Sequence, residues 1–307
     1  MPEPFGRLLS IMLIAALGAF LYHRRWFPDA CIQLVSRLIL DVALPFSILY
    51  TITERVDFHS FGNLRTLILI PALSIGLNYV ASGGLTRLLR VREDRRGLFV
   101  GMSSNSNSLF LGLPVNTAVF GPDSLPFVYV YYVVSTAYFN TLGVLLLRQT
   151  DGKRLRLKQI GRVLATPIFA ALALAVGMAA FRLRLPGFLA DVCQTLGSLA
   201  TPLSMLYIGV SISRLRLKNI RLNRDFFAVL GMRFLFSPLA AFGIATLLGA
   251  APLLLGVMVL QAALPVMTSM PIFSQQYGAD TDYAILLTST TALLSIAIIP
   301  LLSGIIT

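Results

Sequence analysis

Amide and hydroxyl side chains stand where a membrane-length apolar segment should have none. Ser103 through Ser108 read SSNSNS inside a run, 97–120, that is otherwise apolar, and a second apolar run, 252–276, carries ALPVMTSMP at 263–271. Ser and Asn side chains compete with the backbone for hydrogen bonds, so SSNSNS is where a helix breaks. In the second run Pro265 and Pro271 each remove an N–H donor and clash with the preceding turn. A break within lipid persists only where protein or a wet cavity completes the backbone hydrogen bonds. It also creates half-helix N-termini, each with unpaired N–H groups and about half a positive charge. Such ends, ringed by Asn105, Asn107, Ser108, Thr268 and Ser269, favour an anion that is held and released without covalent chemistry. The competing reading is that these side chains only cap helix ends or let helices pack closely.

The elements that position these residues follow from composition. The chain has 307 residues, of which 56% are hydrophobic and 12% charged, against about 25% charged in a soluble domain. Its mean hydropathy of +0.80 is that of an all-α polytopic membrane protein whose lipid bilayer is its first partner. Ten apolar runs are about long enough to cross a hydrocarbon core, at 6–22, 30–52, 64–86, 97–120, 125–147, 161–181, 189–212, 226–249, 252–276 and 282–305. The connections between them are short, which leaves no room for a separate soluble activity.

A net charge of +12 would suggest nucleic acid in a soluble protein. Here the basic residues follow spans 1, 3, 5 and 7: Arg24 and Arg25; Arg87 to Arg96; Arg148 to Arg162; and Arg214 to Arg224. Topology explains this placement without nucleic acid, and by the positive-inside rule both termini face outward. The HRR at 23–25 follows the first apolar run instead of preceding it, so that run reads as a span and not as a signal peptide. Cys31 and Cys193 fall near opposite faces and cannot bridge. His23 and His59 cannot make a metal site, and no nucleophile motif or nucleotide loop appears, so neither an enzyme nor a cofactor is expected.

The chain repeats itself. VALPFSILY (42–50) aligns with LATPLSMLY (199–207), which sets Pro45 on Pro202 and Tyr50 on Tyr207. The same offset carries LPVNTAVFGPD (113–123) onto MPIFSQQYGAD (270–280), with Pro114 on Pro271 and Asp123 on Asp280. Residues 1–150 and 151–307 thus read as two five-span copies. An odd number of spans inverts the second copy, the plan of many secondary transporters.

Three charges, Arg37, Asp41 and Arg233, fall inside spans. Asp41 either pairs with Arg37 one turn earlier or binds a proton or cation; Arg233 either reaches out to the membrane surface or balances the charge of the anion. Tyr131, Tyr132 and Tyr138 read as packing or interface anchors.

NSLFLGLP followed by FG, then QAALP and QQYGAD, together with the LP of span 2, resemble the auxin efflux carrier family, which includes plant auxin exporters and bacterial permeases for malonate or malate. The resemblance covers essentially the whole chain. It implies an inner-membrane carrier of small carboxylates with crossing, broken spans 4 and 9. It further implies a scaffold of spans 1, 2, 6 and 7, a moving unit of spans 3–5 and 8–10, and a homodimer built on the scaffold. By position, Asn107 and Pro265 match the family's crossover residues, and Asn140 falls where span 5 offers a side chain to substrate. The plant exporters have proline where this chain has Ser106, which leaves the break point in span 4 open. Rival readings are an anion channel with the same repeat, or a sodium-coupled symporter of the bile-acid type; whether protons or Na+ take part is not decided by the residues.

Overall fold

The computed structural model describes residues 3–55, 64–148, 166–181, 183–213 and 223–306. The basic positions Lys153 to Arg162, Arg182 and Arg214 to Arg221, with His59, lie outside the described residues. Within them the protein is entirely helical, apart from one isolated antiparallel bridge between Ser106 and Val266. Among the described residues six helical stretches are long and apolar enough to cross a membrane: Cys31–Glu54, Arg65–Leu88, Pro122–Leu147, Gly187–Ser213, Arg224–Leu247 and Thr281–Ile306. Leu9–His23, Pro167–Ala179 and Pro252–Ala262 are shorter apolar helices. Cys31 and Cys193 are both free thiols.

In chain order the helices are α1 (Glu3–His23), α2 (Asp29–Arg37), α3 (Leu44–Arg55), α4 (Leu64–Leu88), α5 (Glu93–Ser104), α6 (Gly112–Phe120), α7 (Leu125–Tyr138) and α8 (Val144–Arg148). Then come α9 (Pro167–Ala180), α10 (Gly187–Ser198), α11 (Ala200–Ser213), α12 (Arg224–Gly231), α13 (Ser237–Leu247), α14 (Pro252–Ala262), α15 (Met270–Gln276) and α16 (Thr281–Ile306). Among the described residues the joins Leu38–Ala43, Phe139–Gly143 and Met232–Phe236 are wide π-helical turns. Two of these precede a proline, Pro45 and Pro238, whose ring cannot sit against the carbonyl four residues back in a regular α-turn.

The largest apolar core draws on α4, α5, α7, α8, α12, α13, α14 and α16, through residues such as Ile75, Phe99, Tyr131, Leu147, Val229, Met258 and Leu287. A second core joins α3, α9 and α11 to one face of α6 and α7 through Ile48, Ala175, Ala200, Leu113 and Tyr129. Helices α1 and α11 pack backbone to backbone. A side chain on Gly18 would meet the Leu206 main chain, and one on Gly209 would meet the Ala15 carbonyl. Small residues permit this approach, which is how helices bind one another where no hydrophobic effect operates between them. Gly209→Val should therefore destabilise the purified protein by about 1–3 kcal/mol, because backbone cannot move aside as a side-chain tip can. Thermal unfolding in detergent reads the change, whereas Gly177→Ala, which has open space around it, should have little effect.

Arg95 fastens one end of this bundle. Its Nε donates to Asp280 Oδ2 at 2.7 Å, its Nη1 lies 3.6 Å from Asp225 Oδ2, and the guanidinium sits 4.7 Å over the Tyr283 ring. The starts of α5, α12 and α16 are thereby tied together. Partial burial alone would raise the Asp280 carboxyl, but the Tyr283 N–H and the Arg95 guanidinium outweigh it and hold it below the usual aspartate range. A group depressed on folding stabilises fully above its unfolded value of about 3.9, and that contribution is lost as pH falls from there through the folded value. Asp280→Asn should thus lower stability by about 1 kcal/mol at neutral pH, a figure kept small by solvent screening. The gap between variant and wild type should close on acidification, as pH-dependent unfolding would measure.

Candidate functional site

All six residues of SSNSNS are buried in protein, none more than 4% exposed. Helix α5 ends at Ser104 because Asn105 turns extended (φ −109°, ψ 123°), and the Asn105 Nδ2 donates at 3.0 Å to the Gly101 carbonyl, which also accepts from the Asn105 backbone N–H. The same amide donates to Tyr79 Oη at 2.7 Å and accepts from Ser135 Oγ at 3.4 Å, so Asn105 is fully engaged inside the protein. The helix restarts as α6 at Gly112, with Pro114 in its first turn, where no N–H is needed.

The second interruption mirrors the first. Helix α14 ends at Ala262, ahead of Pro265, and α15 begins at Met270 with Pro271 in its first turn. The two unwound stretches meet: Asn107 N–H donates to the Pro265 carbonyl at 2.8 Å, and Ser106 pairs with Val266. Thr291 Oγ1 accepts from Val266 N–H at 3.1 Å, and Gln261 Nε2 donates to the Ser108 carbonyl at 3.2 Å. The Asn107 N–H, the Pro265 carbonyl, the Val266 N–H and the Ser108 carbonyl are thus completed by protein, as a break within lipid requires.

Beside this crossing lies a cavity of about 500 Å³. Asn107, Leu111, Pro265, Thr268 and Pro271 form one wall; α1 contributes Ile11, Met12 and Ala15, α11 contributes Tyr207, Ile208 and Ser211, and α16 contributes Thr288 and Ser295. Among the described residues no lining side chain carries a formal charge. Tyr207 is stacked on Phe110 with ring centres 4.6 Å apart, which joins α11 to the first break. Among the described residues the Asn107 carboxamide has no hydrogen-bond partner, although the residue is only 4% exposed. A polar group turned into a cavity with no partner in the protein is free to bind a ligand.

A profile of proteins described as membrane transport proteins matches this chain over residues 5–163 and again over 155–303. The chain belongs to this auxin efflux carrier-like family of membrane transport proteins. An uncharacterized transporter of Methanothermobacter thermautotrophicus is 28% identical to it over 308 aligned positions, 96% of each chain. Another uncharacterized transporter, from Methanocaldococcus jannaschii, is 23% identical over 96% of this chain and 97% of its own. A transport role for this membrane protein follows from the family.

Of the residues singled out in the sequence, Asn107, Pro265 and Thr268 come together on the cavity wall. Asn105 stands behind them, Ser108 is held through its carbonyl by Gln261, and Ser269 precedes α15 without touching the cavity. Asn140 lies on a π-helical turn, donates to the carbonyl of Thr136 at 2.8 Å and does not line the cavity. Asp41 is exposed on the outer surface of its span, as is Arg37, and the two form no ion pair. Arg233 does not reach the surface. It has no exposed area, and its guanidinium lies against the crossing, where it donates to the Ala262, Leu264 and Ser103 carbonyls. Gln261 and Thr288 are the members of the site region that sequence reasoning missed. A glutamine deep in an otherwise apolar span is the signal that marks the first, and Thr288 has none. Among the described residues no group of His, Cys, Asp or Glu could hold a metal.

Proposed function

We propose that the protein is a secondary carrier of small organic carboxylates across the inner membrane. The observation that carries this reading is the carboxamide of Asn107, which opens onto the cavity with no partner in the protein, beside the start of α6 and with no formal charge on the lining among the described residues. The carboxylate binds the side chains of Asn107 and Thr268, at the positive end of α6, and Pro265 keeps the opposing strand extended beside them. Asn105, Ser108 and Ser269 support that arrangement from outside the cavity. The remaining wall is largely aliphatic, which suits an anion with one carboxylate and an apolar body better than a second carboxylate left without a partner.

Transport is by alternating access, in an elevator-like mode. The cavity sits between α1 and α11 on one side and the crossing with α16 on the other. The largest core takes no residue from α1–α3 or α9–α11, which supports spans 3–5 and 8–10 moving as one body past spans 1, 2, 6 and 7. The inverted five-span repeat, with both termini outside, supplies the symmetry for two exchangeable states. Gln33, Arg37 and Asp41 are exposed along span 2, and Asp191, Gln194 and Ser198 along span 7. Repeat-related polar stripes of this kind are costly against lipid, and a second copy of the chain covers them in a homodimer.

Counterflow in proteoliposomes tests the proposal. Vesicles preloaded with an unlabelled carboxylate should transiently concentrate the labelled one, with saturable initial rates. Flux that is linear in concentration and shows no counterflow would make the protein a channel.

A further inference from the structure

Helices α5 and α14 both run into the crossing and stop there, so two C-terminal ends, each with about half a negative charge, converge on one point. In transporters built on interrupted helices the N-terminal ends meet the anionic substrate, and the unwound carbonyls and C-terminal ends coordinate the co-transported cation. Here those carbonyls are already engaged. Arg233 Nη2 donates to the Ala262 and Leu264 oxygens at 2.7 Å each, Nε to Leu264 at 3.2 Å and Nη1 to the Ser103 oxygen at 3.1 Å. Oxygens from both broken helices are gathered on a single guanidinium, and a sodium ion bound to them would have to sit where its nitrogens are.

Among the described residues no carboxylate forms an ion pair with Arg233, so its counter-charge is the pair of helix ends. Arginine stays charged at any working pH and presents five donors in a fixed plane, which suits carbonyls arriving from two directions. The π-helical turn Met232–Phe236 ahead of Pro238 sets the side chain at this depth.

We infer that Arg233 is a tethered cation occupying the place of a coupling ion, so that anion binding at the crossing needs no sodium. This rests on the crossing being the anion site. Because the cation is covalently attached, it travels with the crossing in every state and is released on neither side. The two negative ends are neutralised permanently, and the Asn107 side of the crossing remains favourable to an anion whether or not a salt gradient exists.

The test uses the full-length protein in detergent, with acetate, phenylacetate, malonate and malate as probes and thermal shift as the readout, in sodium chloride and in choline chloride. The apparent affinity for the responding probe should change by less than about twofold between the salts, whereas a coupling ion changes it by about tenfold or more. Arg233→Lys, which keeps a tethered cation, should also bind without sodium. Arg233→Ala should lose the response in choline and regain it with methylguanidinium or sodium. A sodium requirement in the wild type, or wild-type binding by Arg233→Ala in choline, overturns the inference. If sodium is required while Asn107→Ala still abolishes the response, only this inference falls; if no probe gives an Asn107-dependent shift in either salt, the anion site falls and the inference with it.

Discussion

Asn107→Ala is expected to lower carboxylate affinity by about 10- to 100-fold and to remove uptake at low substrate concentration, with the unliganded protein as stable as wild type. The size follows from the loss of one hydrogen bond to a charged group, about 1.5–3 kcal/mol. The unchanged stability follows from the site: the carboxamide has no partner in the protein, and the structural bond at this position, from Asn107 N–H to the Pro265 carbonyl, belongs to the backbone and survives substitution. Asn107→Asp should be more severe, since it places a negative charge beside the bound anion in a cavity with nothing to offset it. Asn105→Ala provides the contrast. It removes bonds to Tyr79 and Gly101 within the packed interior, so it should lower the melting temperature before it alters recognition. Isothermal titration or thermal shift with a responding carboxylate, together with uptake into proteoliposomes, separates these cases. Wild-type affinity in Asn107→Ala would remove Asn107 from the site.

The interruption at Ser103 to Ser108 was legible because six small polar residues in a row contradict their surroundings on composition alone, and the second interruption because Pro265 and Pro271 cannot continue a helix. Membrane embedding and family were legible for a similar reason, since both are carried by long runs and ordered motifs. What escaped depends on rotation about a helix axis and on distant partners. Asp41 was a candidate coupling residue, but which face of its span it occupies is set by the π-helical turn at Leu38–Ala43, which no local pattern announces. Asn140 has a carbonyl to bond one turn back at Thr136, an outcome open to any asparagine in a helix. From the sequence, Arg233 reads either as a residue reaching out to the surface or as one balancing the charge of the anion. Its real partners are main-chain oxygens, from Ser103 and from the 262–264 stretch, and a main-chain oxygen leaves no mark on residue identity. Thr288 is one hydroxyl in an apolar helix, distinguished only by the cavity that opens beside it.

Arg233→Met is expected to cost about 3–5 kcal/mol of stability, because three buried main-chain carbonyls lose their donor together. Methionine fills much of the volume, so packing is not the main loss. The carbonyls of Ser103, Ala262 and Leu264 are the last acceptors of two helices that stop inside the protein, and without the guanidinium they face an apolar side chain. Each unsatisfied carbonyl costs about 1–3 kcal/mol, and partial relaxation keeps the total below their sum. Arg233→Lys should fall between, because one ammonium can serve two of these oxygens but cannot span both helix ends with a planar fork. Unfolding of detergent-solubilised protein should therefore rank wild type above Lys and Lys above Met. A Met variant within about 1 kcal/mol of wild type would mean that the helix ends find other partners, and that the crossing is not held by this side chain.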